Sequence, residues 1–144
     1  MAKHLRAEIT IAASADRVWQ ILTDLAAYRE WNPFMFEASG RAAKGERLTI
    51  RMKPVDGRAL TFKPTVLDAQ PGRRLRWLGR LLLPGIFDGE HSFTIEPING
   101  GVRFVQEEEF RGVLLPLLAK SLDKGTLPAF ELMNEALKTR AELT

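Results

Sequence analysis

Apolar and polar residues follow two rhythms along this chain, and the switches between them predict its elements. From Lys3 to Ala12 the period is two, with Leu5, Ala7, Ile9 and Ile11 on one face, which predicts a strand. Ser14 then opens a helix. It is a good N-cap, Asp16 stands in the first turn, and Val18, Trp19, Ile21 and Leu22 recur at helical spacing. A second short helix, Asp24 to Tyr28, follows a bend. Trp31-Asn32-Pro33-Phe34 ends it, because Pro33 cannot continue a helix and pushes Asn32 to an extended conformation.

From Phe34 the period is two again. Residues 34–39, the Leu48, Ile50, Met52 alternation, and residues 59–69, 74–81, 89–96 and 102–110 predict six strands with short turns between them. Asp56-Gly57 is a hairpin signal, and Pro64 inside the 59–69 run marks an edge or a bulge. Such a series predicts an antiparallel meander, whose alternate turns fall at the same end. One end then holds the polar, glycine-rich turns 41–46, 70–73 and 97–101. The other holds 54–57, 83–86 and 111–116, joined by the Trp31–Pro33 corner. Two apolar clusters lie there, Leu81-Leu82-Leu83-Pro84-Gly85-Ile86-Phe87 and Val113-Leu114-Leu115-Pro116-Leu117-Leu118, as at the mouth of a cavity. The final stretch, Leu114 to Ala141, has helical spacing. Leu118, Leu122, Leu127, Phe130, Met133, Leu137 and Ala141 form its stripe, and Pro128 is expected to bend or divide it. The concave face of the twisted sheet is the surface available to that stripe.

Candidate chemistry lies on the inward face. The period-two rule puts His91 beside Phe93 and Ile95, and puts Gln106 and Glu108 beside Val102, Phe104 and Phe110. Polar groups on an apolar inward face are costly unless they pair or line a pocket. Pairing through the 97–101 turn sets position 91 opposite 107–109, so His91 and Glu108 are expected as cross-strand neighbours about 5 Å apart. Such a pair can move a proton. A lone inward histidine is more often a satisfied core residue, and Glu107 to Glu109 reads equally as a solvated strand end. Asn32 offers a donor and an acceptor to a ligand, although its corner also reads as a plain turn around a buried Trp31. Arg73, Arg74, Arg76 and Arg80 alternate with Leu75 and Trp77 and read as a solvent face opposite Glu107 and Glu109, rather than as a phosphate site.

Composition narrows the classes. The net charge of +3 is small and scattered, so nucleic acid is not expected as a partner. With no cysteine, disulfides, thiolate catalysis and a Cys-based metal site are excluded. His4 and His91 alone do not make a His-rich metal site, and no cofactor is implied. No apolar run approaches the roughly 20 residues of a membrane span, and the first twelve residues lack the apolar core of a signal peptide. Integral membrane association is therefore not expected, and a cytoplasmic location is the default. The 144 residues are read as one domain, 1–144.

Four stretches together, "ITIAASADRVWQILTDLAAYREWNPF", "PGRRLRWLGR", "DGEHSFTIEPINGGVRFVQEEEFRG" and "LMNEALKTRAE", resemble the START-like (SRPBCC, helix-grip) superfamily. Within it the chain looks like the bacterial single-domain members of polyketide cyclase/dehydrase type. The resemblance implies an α+β helix-grip fold: a curved seven-stranded antiparallel sheet wrapped on a long C-terminal helix, with two short helices after the first strand. It also implies a ligand cavity between sheet and helix. The expected liners are Trp31, Asn32, Phe34, Phe36, Ile50, Met52, Phe62, Trp77, His91, Phe93, Phe104, Gln106, Glu108, Phe130, Met133 and Leu137. The leading expectation is binding of a small, mostly hydrophobic ligand (lipid, aromatic or polyketide-like). The alternatives are a cyclase/aromatase-type enzyme using His91 and Glu108, and an interaction module resembling the Hsp90-activator group. The apolar turns near Pro84 and Pro116 leave open a membrane, a lipid donor, a homodimer or simple closure of the mouth.

Overall fold

A computed structural model describes residues 2–81 and 83–143. Leu82, in the first apolar cluster, lies outside the described residues. The longest strands are β7 (Phe87–Ile98) and β8 (Gly101–Arg111), joined by the tight Asn99-Gly100 turn. On the far side of β8 runs β1 (Ala2–Ile11), and on the far side of β7 lie β6 (Arg74–Leu81) and β5 (Thr65–Gln70). These five strands make one antiparallel sheet in the order β1-β8-β7-β6-β5. Between β1 and the rest come α1 (Ala15–Thr23), a 3₁₀ turn (Leu25–Ala27) and α2 (Tyr28–Trp31). Ser14 caps α1 as its residue type requires, its hydroxyl accepting from the Arg17 amide at 3.1 Å. The α2 corner is anchored by Tyr28, whose buried hydroxyl donates to Leu22 O. Burial, with the Asp24 charge as a lesser cause, raises the Tyr28 pKa well above the usual phenol range.

The seven-stranded sheet that the resemblance implies is not what forms. β2 (Glu37–Ser39), β3 (Thr49–Met52) and β4 (Leu60–Phe62) make a separate three-stranded sheet. The reason sits at Pro64. Residues 59–69 read as one strand, but Pro64 has no amide proton to give a ladder, and the strand breaks into β4 and β5 around it. The two sheets stay coupled by a short splice: Leu48 N–H donates to Pro64 O at 2.9 Å, and Val66 exchanges bonds with Glu46 and Gly45 at 2.8 Å each.

Arginines on β6 point outward as expected, but their partners differ. Arg74 faces Asp68 at 3.7 Å, Arg76 faces Glu90 at 3.5 Å and Arg80 faces Asp88 at 3.6 Å. Glu107 and Glu109 lie on β8, with β7 in between, and pair instead with His4 and Arg111. These exposed pairs contribute little to stability.

The terminal helix is built in two parts. α3 (Leu115–Ser121) leads into one π-helical turn (Leu122–Thr126) and then α4 (Leu127–Glu142). Pro128 lacks the amide proton that would continue an α-helical ladder, and Leu127 N–H reaches five residues back to Leu122 O. Gly125 matters here. Its carbonyl accepts from Val55 N–H at 3.0 Å, and a Cβ on it would press on Val55 O at 3.0 Å. The β3–β4 turn therefore docks on the π turn, where any larger residue would crowd the Val55 carbonyl. α4 itself lies along β1 and β8 and against α1, burying Ala129, Phe130, Met133, Leu137 and Ala141. Among the described residues, no helix is long and apolar enough to cross a membrane.

Candidate functional site

Beneath α4 the sheet presents an aromatic floor with a polar line drawn through it. His91 sits on β7 directly opposite Glu108 on β8, and Gln106 lies one inward position along. His91 and Gln106 are buried, while the Glu108 side chain keeps 16% of its surface exposed. The His91 ring lies between aromatic partners. It stacks on Trp77 at 5.5 Å between centroids, meets the edge of Phe130 at 5.0 Å and touches Phe93 at 4.6 Å. Phe130 in turn packs on Phe34 at 5.6 Å.

The hydrogen bonds of this cluster fix where its protons are. Gln106 Nε2 donates to Phe130 O at 3.3 Å and to Asn134 Oδ1 at 2.8 Å. A backbone carbonyl only accepts, so the amide nitrogen must face Phe130, and the Gln106 oxygen must face His91. His91 Nε2 therefore carries a hydrogen and donates to Gln106 Oε1 at 2.9 Å. That leaves Nδ1 to meet Glu108 Oε1 at 3.0 Å. The arrangement is a hydrogen-bonded polar line at the centre of an apolar space, ending in a carboxyl group that keeps some exposure. Chemically such a line can move a proton or hold an oxygen-bearing molecule.

Two residues complete the cluster without having been singled out in the sequence. Asn134 is buried on the inner stripe of α4, one turn after Phe130. It was legible by the reasoning that found Gln106, since a polar residue interrupts an apolar stripe. Gly89 is the other. A Cβ there would run into Glu108 Oε2, so the bare backbone of β7 seats the carboxylate. Gly89→Ala is expected to push the carboxylate off His91 Nδ1 and to cost about 1–3 kcal/mol from the buried group left unpaired. The ring ¹⁵N shifts of His91 should move in that variant. An unchanged Nδ1 environment would show that Gly89 does not seat the carboxylate.

The other expected liners divide between two places. Phe34, Ile50, Phe93, Phe104, Met133 and Leu137 join Trp77 and Phe130 in the buried interior. Met52 and Phe62 pack against that interior at its border. Trp31, Asn32 and Phe36 do not join the polar cluster. Asn32 spends its side-chain oxygen on the amides of Phe34 at 3.0 Å and Met35 at 2.8 Å, holding the corner after α2. Phe36 lies under the Arg51 guanidinium at 5.0 Å. Trp31 lines an outer groove of about 440 Å³ with Arg17, Asp24 and Arg140. A second groove, about 200 Å³, runs outside between β1 and α4 over Asn134. The space under α4 is occupied by the molecule's own side chains. Three buried donors in or beside it have no protein acceptor: Trp77 Nε1, Asn134 Nδ2 and Asn32 Nδ2.

The profile of the polyketide cyclase/dehydrase and lipid transport family matches residues 2–142. The chain belongs to that family. No curated protein matches it in sequence. Among solved structures, the Zhui aromatase/cyclase from a Streptomyces species is 17% identical with a TM-score of 0.80, over 99% of this chain and 94% of that one. Protein MLL2253 from Mesorhizobium loti is 20% identical with a TM-score of 0.74, over 98% of this chain and 100% of that one. The di-domain ARO/CYC StfQ from the steffimycin biosynthetic pathway is 13% identical with a TM-score of 0.71. This family member covers 99% of its own length in that match but only 53% of StfQ. At such identities the likeness is one of fold: a large antiparallel sheet against a long C-terminal helix.

Proposed function

We propose that the chain is one ligand-binding domain, holding a small, mostly hydrophobic molecule between the five-stranded sheet and α4. The observation that carries this reading is the buried His91–Glu108–Gln106–Asn134 line inside an aromatic interior, beside a Trp77 indole N–H that no protein atom accepts from. An unpaired buried donor costs about 1–3 kcal/mol, and an oxygen on a bound molecule would recover it. The rings of Trp77, Phe93 and Phe130 suit a flat apolar body. Burial would supply most of the affinity, at roughly 25 cal/mol per Å² before the costs of association. Binding then requires the ligand to displace side chains that now fill the space. The segment placed to yield is α3 with the π turn, held to the rest by the buried Leu115 and Leu122, the Val55–Gly125 bond and the Lys3–Asp123 ion pair.

A cyclase- or aromatase-type reaction is the second reading, supported by the contact of His91 Nδ1 with Glu108 Oε1 at 3.0 Å. An interaction module with a side-chain-filled interior is the third, and it predicts no ligand at all. Native mass spectrometry of the purified protein, followed by organic extraction, is expected to show a retained apolar compound that leaves on denaturation. A bare polypeptide mass, together with failure to take up a fluorescent apolar probe, would overturn the ligand-binding reading in favour of the third. His91→Ala separates the first two. It should leave binding within a few-fold of the parent if the domain is a carrier, and should abolish turnover if it is an enzyme.

A further inference from the structure

Large apolar side chains that stand well exposed are not spread evenly over this molecule. Leu60, Leu81, Leu83, Val113 and Leu117 gather at the end holding the β3–β4 turn, the β6–β7 turn and the start of α3. Among the described residues only Leu132 and Leu143 stand elsewhere. The exposures are large, 68% for Leu83, 71% for Val113 and 80% for Leu117. Backbone bonds make one ledge of the pieces. Val113 N–H donates to Gly85 O at 3.0 Å, Leu114 N–H to Ile86 O at 3.1 Å, and Ile86 N–H to Leu83 O at 3.3 Å. The residues are therefore held out to solvent by defined structure. At the opposite end Leu143 is the one such side chain among the described residues, and two of the charges there are paired, Arg41 with Glu46 and Arg103 with Glu96.

Charge completes the pattern. Lys53, Arg58, Lys120 and Lys124 are exposed around the apolar ledge, and among the described residues none has a carboxylate within ion-pairing distance. Of the acids nearby, Asp123 pairs with Lys3, Asp88 with Arg80 and Glu109 with Arg111, which leaves Asp56 against the four cations. An apolar tip rimmed by uncompensated cations is the chemistry that seats on an anionic bilayer, where leucines enter the headgroup boundary and lysines meet lipid phosphates and carboxylates.

We propose that this end of the molecule docks on an anionic lipid bilayer. A second copy of the chain fits it poorly. A two-fold contact would set the same four cations against themselves. Nucleic acid would leave the leucines without a partner. The proposal does not depend on the interior holding a ligand. A chain that retains an apolar compound in solution yet ignores vesicles would overturn the docking alone.

The test is flotation of the full chain with vesicles of phosphatidylcholine, with and without phosphatidylserine. Binding is expected to the phosphatidylserine vesicles and to weaken as salt is raised. Val113→Ser with Leu117→Ser, and separately Lys120→Glu with Lys124→Glu, should each reduce it by about tenfold or more. Leu132→Ser, on the outer face of α4, should leave it unchanged. All these side chains are exposed, so thermal unfolding should keep its midpoint in every variant. Three results would overturn the proposal: no flotation with phosphatidylserine, flotation unaffected by both double variants, or a concentration-dependent dimer that Val113→Ser with Leu117→Ser abolishes.

Discussion

Replacing Phe130 by alanine is expected to lower folding stability by about 3–5 kcal/mol, the range for emptying an aromatic from a closed core. Phe130 is fully buried and touches Phe34, the His91 ring and, through its own carbonyl, Gln106. Because α4 and the sheet are fixed by many other contacts, the hole should collapse only partly. Chemical denaturation should show the loss as a lower midpoint with an unchanged slope. The same variant should take up a small apolar compound more readily than the parent, since the hole is apolar and opens against the His91 and Phe34 rings. A loss below about 1 kcal/mol would mean that the ring is not packed as described.

Gln106→Leu is expected to have the second largest effect, about 2–4 kcal/mol, although it makes the core more apolar. Three groups depend on this one amide. His91 Nε2–H loses its acceptor, and Phe130 O and Asn134 Oδ1 lose their donor. Leucine offers none of these, and each partner stays buried. Gln106→Glu should not restore stability, because a carboxylate accepts from His91 but cannot donate to Phe130 O. If leucine proved neutral, the tautomer assigned to His91 would lose its basis. Unfolding curves of the two variants, with the His91 ¹⁵N shifts, check both points.

The central pair was readable from the chain because register follows from a turn and a period. Asn99-Gly100 closes β7 onto β8, and counting outward puts 91 opposite 108 without reference to any other part of the molecule. Features that depend on distant contacts were not readable in this way. Pro64 signalled an irregularity, but whether the ladder would bulge or break depended on the splice with residues 45–48. Charge alone sets the arginines of β6 against Glu107 and Glu109, but β7 lies between β6 and β8, so Asp68, Glu90 and Asp88 on the adjoining strands take them instead. Pro128 marked a change in the terminal helix. The form of that change depended on Gly125 meeting Val55, a contact between residues 70 positions apart. Closure of the interior is a matter of side-chain packing, on which alternation is silent.

Each residue of an α-helix turns the next by roughly 100°, so an ordinary helix ties the azimuth of its first side chain to that of its last. The wide turn at Leu122–Thr126 cuts that tie. α3 can aim Leu117 outward and Leu115 inward on a phase of its own, while α4 keeps Phe130, Asn134 and Leu137 trained on the sheet. Substitutions that retune the front of the helix for a new surface or cargo therefore need not disturb the rear, which gives one element two separately adjustable faces.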